Sequence, residues 1–234
     1  MNIQAQYEAE IKPEVEALAS EIGQAISHNT SIEAYHKGWR VFFSPVFHNP
    51  KVLLIGINPG GGQAGVEDYE FWDESYLFEY VNPEENNYAL ARETNAVFAE
   101  AGLTEILQHS TVKTNFFFLS TTELADLYQI TTFLGRGSNT NQEFLGDKFF
   151  RKSYQWTKHL IDIIQPEVIV CEGKEAYKNV TDLYPEFGEY DWQGECGYTV
   201  VPSQKLVIIG YNRRGSRILD KVGLAKLLER FVMI

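Results

Sequence analysis

Residues 56–65 read Gly56-Ile57-Asn58-Pro59-Gly60-Gly61-Gly62-Gln63-Ala64-Gly65 and follow the apolar run Lys51–Ile55. A strand that ends in a glycine-rich loop can hold a ligand close to backbone, and Asn58 adds a carboxamide with both a donor and an acceptor. Gly60, Gly62 and Gly65 fit the spacing G-x-G-x-x-G of a dinucleotide loop. That spacing needs a direct strand-to-helix turn. Here Asn58-Pro59 intervenes, and the residues that follow, VEDYEFWDE, would repel a phosphate. No Gly-Lys-Ser/Thr follows, so there is no Walker A loop. Asn-Pro-Gly is also an ordinary turn signal, which accounts for Pro59 and Gly60 but not for three further glycines.

Other candidate groups lie near the ends of other apolar runs. Asn115 stands in VKTNFFFL, residues 112–119, and as an amide can read a base edge or cap a strand. Tyr69, Phe71 and Trp72 offer aromatic faces just after the glycine loop. Asn212-Arg213-Arg214-Gly215-Ser216-Arg217 follows the run Lys205–Tyr211, and its guanidinium groups suit a phosphate or carboxylate. Arg136, Lys148, Arg151 and Lys152 either extend that positive surface or are simply solvated. The five histidines (28, 36, 48, 109 and 159) have no metal-ligand spacing, and Cys171 and Cys196 cannot make a four-cysteine site. No metal and no cofactor is expected.

These groups need a scaffold. The runs 51–57, 112–119, 167–171 and 205–211 read as buried strands of a parallel sheet. Helical periodicity covers 2–28, with Ile11, Val15, Leu18, Ile22 and Ile26 on one face, and then 85–101, 147–165, 174–183 and 217–231. The alternation predicts one α/β domain over 1–234, three layers thick, with residues 1–50 as a helical N-terminal extension. Ligands of such sheets bind beyond the carboxyl ends of the strands.

The 234 residues carry a net charge of −12, which on its face opposes a polyanionic partner. The distribution is uneven. Residues 60–110 hold 11 acidic residues and one basic residue, Arg92, whereas residues 203–222 hold five basic residues and one acid. No apolar run reaches the ~18–20 residues of a membrane span, and the first ten residues are polar, so the expectation is a cytoplasmic protein with no membrane partner.

Gly56-Ile57-Asn58-Pro59-Gly60 resembles the first motif of the uracil-DNA glycosylase superfamily, in the form found in its mismatch-specific and single-strand-selective branches. Thr114-Asn115, the run from Pro166 to Ala176, and the polar loop at 211–216 are similar to later landmarks in the same order, so the resemblance spans about residues 51–230. It implies an α/β/α sandwich on a four-stranded parallel sheet, with a pocket for a flipped base at the strand ends. It implies hydrolysis of the N-glycosidic bond of a damaged or deaminated base in DNA. Asn58 would position the water, and Asn212 would stand at the second catalytic position. Gly56, Ile57, Pro59, Gly60, Tyr69, Phe71, Trp72 and Asn115 would surround the base. Arg213, Arg214, Ser216 and Arg217 would contact phosphate. The family's His-Pro-Ser or Asn-Pro-Ser is here Asn212-Arg213-Arg214, so the leaving-group histidine is missing. Two other readings stay open: a non-catalytic nucleobase, nucleotide or nucleic-acid binder of the same fold, and an unrelated small-molecule enzyme with a glycine-rich anion loop.

Overall fold

A computed structural model describes residues 2–60, 66–82, 88–135, 144–186 and 188–232. In chain order its helices are α1 (Ile3–Gln6), a π-turn (Tyr7–Ile11), α2 (Lys12–Ile26), α3 (Thr30–Glu33), α4 (Ala89–Glu100), α5 (Thr104–His109), α6 (Leu124–Phe133), α7 (Leu145–Ile164), α8 (Lys174–Thr181) and α9 (Lys221–Val232). The strands are β1 (Gly38–Arg40), β2 (Val52–Gly56), β3 (Val66–Asp68), β4 (Thr111–Asn115), β5 (Val168–Cys171), β6 (Tyr190–Gln193), β7 (Cys196–Val201), β8 (Leu206–Tyr211), β9 (Arg213–Arg214) and β10 (Arg217–Ile218). The chain divides into two compact units, one of residues 1–42, 58–71 and 115–163, the other of residues 43–57, 72–114 and 164–234.

The second unit contains the central sheet, in the order β4-β2-β5-β8-β7-β6. β2, β5 and β8 run parallel, with Val52 opposite Val168 and Val168 opposite Val207. All four runs expected to be strands join this sheet, but it has six strands rather than four. The extra pair is the hairpin β6–β7, of which β7 pairs antiparallel with β8. Half-exposed antiparallel strands lack the continuous apolar run that marks a buried parallel strand, so Tyr190-Asp191-Trp192-Gln193 gives a weak signal.

Side chains alternate across the sheet. Val52, Leu54, Val168, Val170 and Ile209 meet Val97 and Phe98 of α4 and Leu224 and Leu228 of α9 in one apolar core. Each such fully buried side chain contributes about 1.5–3 kcal/mol. The opposite face receives α8. A Cβ on Gly210 would stand 2.4 Å from the Tyr177 ring, so only glycine lets that ring lie against the strand.

In the first unit, Ile11, Val15, Leu18, Ile22 and Ile26 are buried, as their periodicity predicts. Pro13 sits in the first turn of α2, where its missing N–H costs nothing. Glu14 receives Lys152 Nζ at 3.0 Å and Trp156 Nε1 at 2.8 Å, Glu21 receives Lys148 Nζ at 2.6 Å, and His159 lies 3.0 Å from Glu10. These bonds tie the N-terminal helical run to α7. Lys148 and Lys152, expected either to extend a positive surface or to be simply solvated, are each paired with a carboxylate. Arg136 lies outside the described residues. Phe116, Phe117 and Phe118 pack against α7 through Tyr154, Phe149 and Trp156 respectively.

Candidate functional site

The start of the glycine loop is held by the segment 121–123. In the first unit, Thr121 N–H donates to Pro59 O at 3.1 Å, and Gly60 and Thr121 form a bridge. Asn58 Nδ2 donates to Thr121 Oγ1 at 2.8 Å and to Pro59 O at 3.3 Å. Thr121 Oγ1 gives its own proton to Glu123 O at 2.7 Å. A hydroxyl has one proton, so Thr121 can only accept from Asn58. That fixes the orientation of the carboxamide. Asn58 is half-buried, and its Oδ1 has no hydrogen-bond partner among the described residues. The loop therefore presents a fixed acceptor whose natural complement is a water or an N–H group. Thr121 was not legible as a site residue, because nothing in Ser120-Thr121-Thr122 distinguishes it from turn composition.

The other expected residues fall as follows. Pro59 is buried and Gly60 exposed, while Gly62 and Gly65 lie outside the described residues. Asn115 is buried at the end of β4. Tyr69 and Phe71 share the first unit with Asn58. Phe71 packs edge-on against Phe42 at 5.8 Å, inside a cluster with Tyr7. Tyr69 accepts the Tyr7 hydroxyl on its backbone O at 2.7 Å. Among the described residues its own buried hydroxyl has no hydrogen-bond partner, and burial beside Glu67 pushes that phenol far up. Gly56, Ile57 and Trp72 belong to the second unit, where Trp72 is buried and stacks on half-exposed Tyr76 at 4.8 Å.

The loop after β8 differs from the expected helix start. Residues 213–218 form a tight ribbon, β9–β10, and α9 begins only at Lys221. Asn212 Nδ2 donates to Glu195 Oε2 at 2.6 Å, and Arg213 donates through Nε to Glu172 O at 3.0 Å and through Nη1 to Gly215 O at 2.8 Å. Both side chains thus brace the ribbon. Arg214 and Arg217 are exposed and Ser216 half-buried.

Sequence reasoning missed a buried charged cluster in the second unit. Lys113 Nζ lies 3.4 Å from Glu79 Oε1 and 3.4 Å from Glu172 Oε2, and 4.3 Å over the Tyr80 ring. Tyr80 donates to Glu172 Oε1 and Tyr88 to Glu79 Oε1, each at 2.5 Å. Burial and the charge of Glu172 hold the Tyr80 phenol well above its ordinary value, so it acts as a donor. Arg213 Nε reaches the backbone carbonyl of Glu172. The signal in the sequence was a lysine inside an apolar strand, which must find a carboxylate when buried.

Part of the acidic segment is neutralised locally. Glu70 pairs with Lys12 at 2.8 Å, Asp68 with Arg40 at 3.6 Å, and Glu79 with Lys113. Among the described residues no group of three or more His, Cys, Asp or Glu side chains could hold a metal ion, and no helix is long and apolar enough to cross a membrane. No family model matches the chain, and no curated protein matches it.

Proposed function

We propose that this chain is a divergent uracil-DNA glycosylase-like protein that hydrolyses the N-glycosidic bond of a damaged or deaminated base in DNA. The single observation that carries the reading is Asn58. Its Nδ2 is committed to Thr121 and Pro59, and its Oδ1 has no hydrogen-bond partner among the described residues. In the proposed reaction Oδ1 accepts a hydrogen bond from a water. The water oxygen bonds to C1′, the bond from C1′ to the base nitrogen breaks, and its electron pair leaves with the base. The water's proton ends on the departing base or in solvent. A carboxamide is a weak base, so the rate rests on placing the water and on the dissociative character of the bond cleavage. The base itself must leave the stack before reaction.

A second reading has its own observation. Asn212 and Arg213 are tied to Glu195, Glu172 and Gly215, so neither replaces the missing leaving-group histidine. This favours a protein that holds a nucleobase without cleaving it. One experiment separates the two. Labelled oligonucleotides carrying U, U·G, hypoxanthine or xanthine are incubated with the protein and treated with alkali. Strand breaks at the modified base support the glycosylase. Intact strands on every substrate at excess protein, with saturable binding of a nucleobase, support the binder instead.

A further inference from the structure

The sheet of the second unit ends in two unlike edges. At β4, Phe43 N–H donates to Lys113 O at 3.1 Å and Ser44 Oγ accepts Lys113 N–H at 2.7 Å, so that edge is covered. At the other edge, β6 pairs with β7 and, among the described residues, with no other segment.

The ladder decides which groups of β6 stay open. Val200 N–H donates to Glu189 O, and Val200 O accepts Gly188 N–H, each at 2.8 Å. Val200 thus turns its backbone toward the β6 side. Bonded pairs alternate along an antiparallel ladder, so Tyr198, opposite Asp191, does the same. The N–H and C=O of Tyr190 and Trp192 therefore point away from β7. Among the described residues no group bonds to them. The strand is also held in place. A Cβ on Gly197 would stand 2.5 Å from Asp191 O and 2.8 Å from the Trp192 ring, so glycine lets β7 lie this close to β6. Trp192 packs on Tyr177 of α8, with ring centroids 5.1 Å apart. An edge already ordered loses little further freedom when another strand joins it.

The chemistry around the edge selects the partner. Residues 186–195 hold Glu186, Glu189, Asp191 and Glu195 and no lysine, arginine or histidine. Among the described residues no cation pairs with Glu186 or Asp191. Glu189 meets Arg230 only at 4.0 Å, Glu195 takes the Asn212 amide, and Asp191 takes the Gln193 amide at 2.9 Å. By alternation Tyr190, 57% exposed, shares the α8 face with Trp192, and aromatic faces attract cations. A second copy of this chain would bring the same four carboxylates to the edge, where like charges repel.

We propose that the outer edge of β6 takes an extended peptide rich in lysine and arginine as a seventh strand. The main-chain groups of Tyr190 and Trp192 supply the new ladder. Alternate side chains of the peptide meet Asp191 on one face and the Tyr190 and Trp192 rings on the other. Nothing in this surface depends on Asn58 or on base release.

The test is fluorescence anisotropy of the full chain with three labelled peptides of about ten residues, the upper length of a common strand. One alternates lysine with valine, one alternates glutamate with valine, and the third is the lysine sequence with its backbone amides N-methylated. The lysine peptide should bind saturably at low salt and weaken as salt rises. The glutamate peptide should bind at least about tenfold more weakly. N-methylation keeps the charge but removes the ladder donors, and should also cost at least about tenfold. Tyr190→Pro removes one outward N–H at the first residue of the strand, where proline is tolerated, and should weaken the lysine peptide about 3- to 10-fold. Asp191→Lys should weaken it about tenfold and flatten the salt dependence. Equal binding of the N-methylated and parent peptides would overturn the proposal, because charge alone would then suffice. Equal binding of the glutamate peptide, or no binding of the lysine peptide up to millimolar protein, would overturn it too. Concentration-dependent dimers in sedimentation, abolished by Tyr190→Pro, would assign the edge to a second copy instead.

Discussion

Thr121 Oγ1 stands between two partners, giving its proton to Glu123 O at 2.7 Å and receiving Asn58 Nδ2 at 2.8 Å. A hydroxyl in mid-chain fixes which end of the carboxamide faces outward. Thr121 is therefore the residue through which the turn at 121–123 sets the orientation of the loop after β2.

Thr121→Val should lower the rate of base release about 10- to 100-fold with KM little changed, because the water loses alignment rather than the base its pocket. Thr121→Ser keeps the hydroxyl and should restore most of the rate. Single-turnover kinetics on the preferred substrate measure both.

Lys113 and Tyr211 make a contrast in stability. Lys113→Met removes a cation from between two buried carboxylates and should cost about 3–5 kcal/mol. Among the described residues the buried Tyr211 hydroxyl has no hydrogen-bond partner, so Tyr211→Phe should be neutral or stabilising. Urea unfolding midpoints of the two variants against wild type read the difference.

The sheet was legible where strands are buried on both faces. Lys51–Ile57, Glu167–Cys171 and Lys205–Tyr211 are continuous apolar runs, and each contains a strand. The hairpin β6–β7 was not legible, since half-exposed β6 shares its composition with loops. The helix expected to begin near Arg217 begins at Lys221, because Gly215 permits a tight reversal that periodicity does not register. Asn58 stood out through its neighbours in the loop. Thr121, 63 residues away, and the triad of Lys113, Glu79 and Glu172 are long-range meetings, and no local spacing encodes them.

The ribbon anchor depends on pH. Lys221 and the Ile218 N–H hold the Glu93 carboxyl below the usual glutamate range. A carboxyl depressed in the folded state stabilises it above its unfolded value, and that contribution is lost as pH falls through the folded one. Stability should therefore hold through neutral pH and lose this contribution only in acid, beneath the usual glutamate range. Glu93→Gln should lower the urea midpoint at neutral pH and flatten that acid loss. Urea midpoints from neutral to acidic pH check both.

Both cysteines are buried; burial with nearby Asp220 pushes the Cys196 thiol up to about 11, and burial holds Cys171 well above its ordinary value. Neither should react with N-ethylmaleimide in the folded protein at neutral pH, while both should react in denaturant. Intact-mass spectrometry counts the adducts.

The most direct test of the central claim is release of free base from a modified oligonucleotide, followed by chromatography, for wild type, Asn58→Ala and Asn58→Asp. The account predicts release by wild type and a loss of at least about 100-fold in Asn58→Ala. Asn58→Asp should retain more activity, because an acceptor still faces the water. Equal release by wild type and Asn58→Ala would contradict the assignment of Asn58, and no release by any of the three would contradict the glycosylase itself.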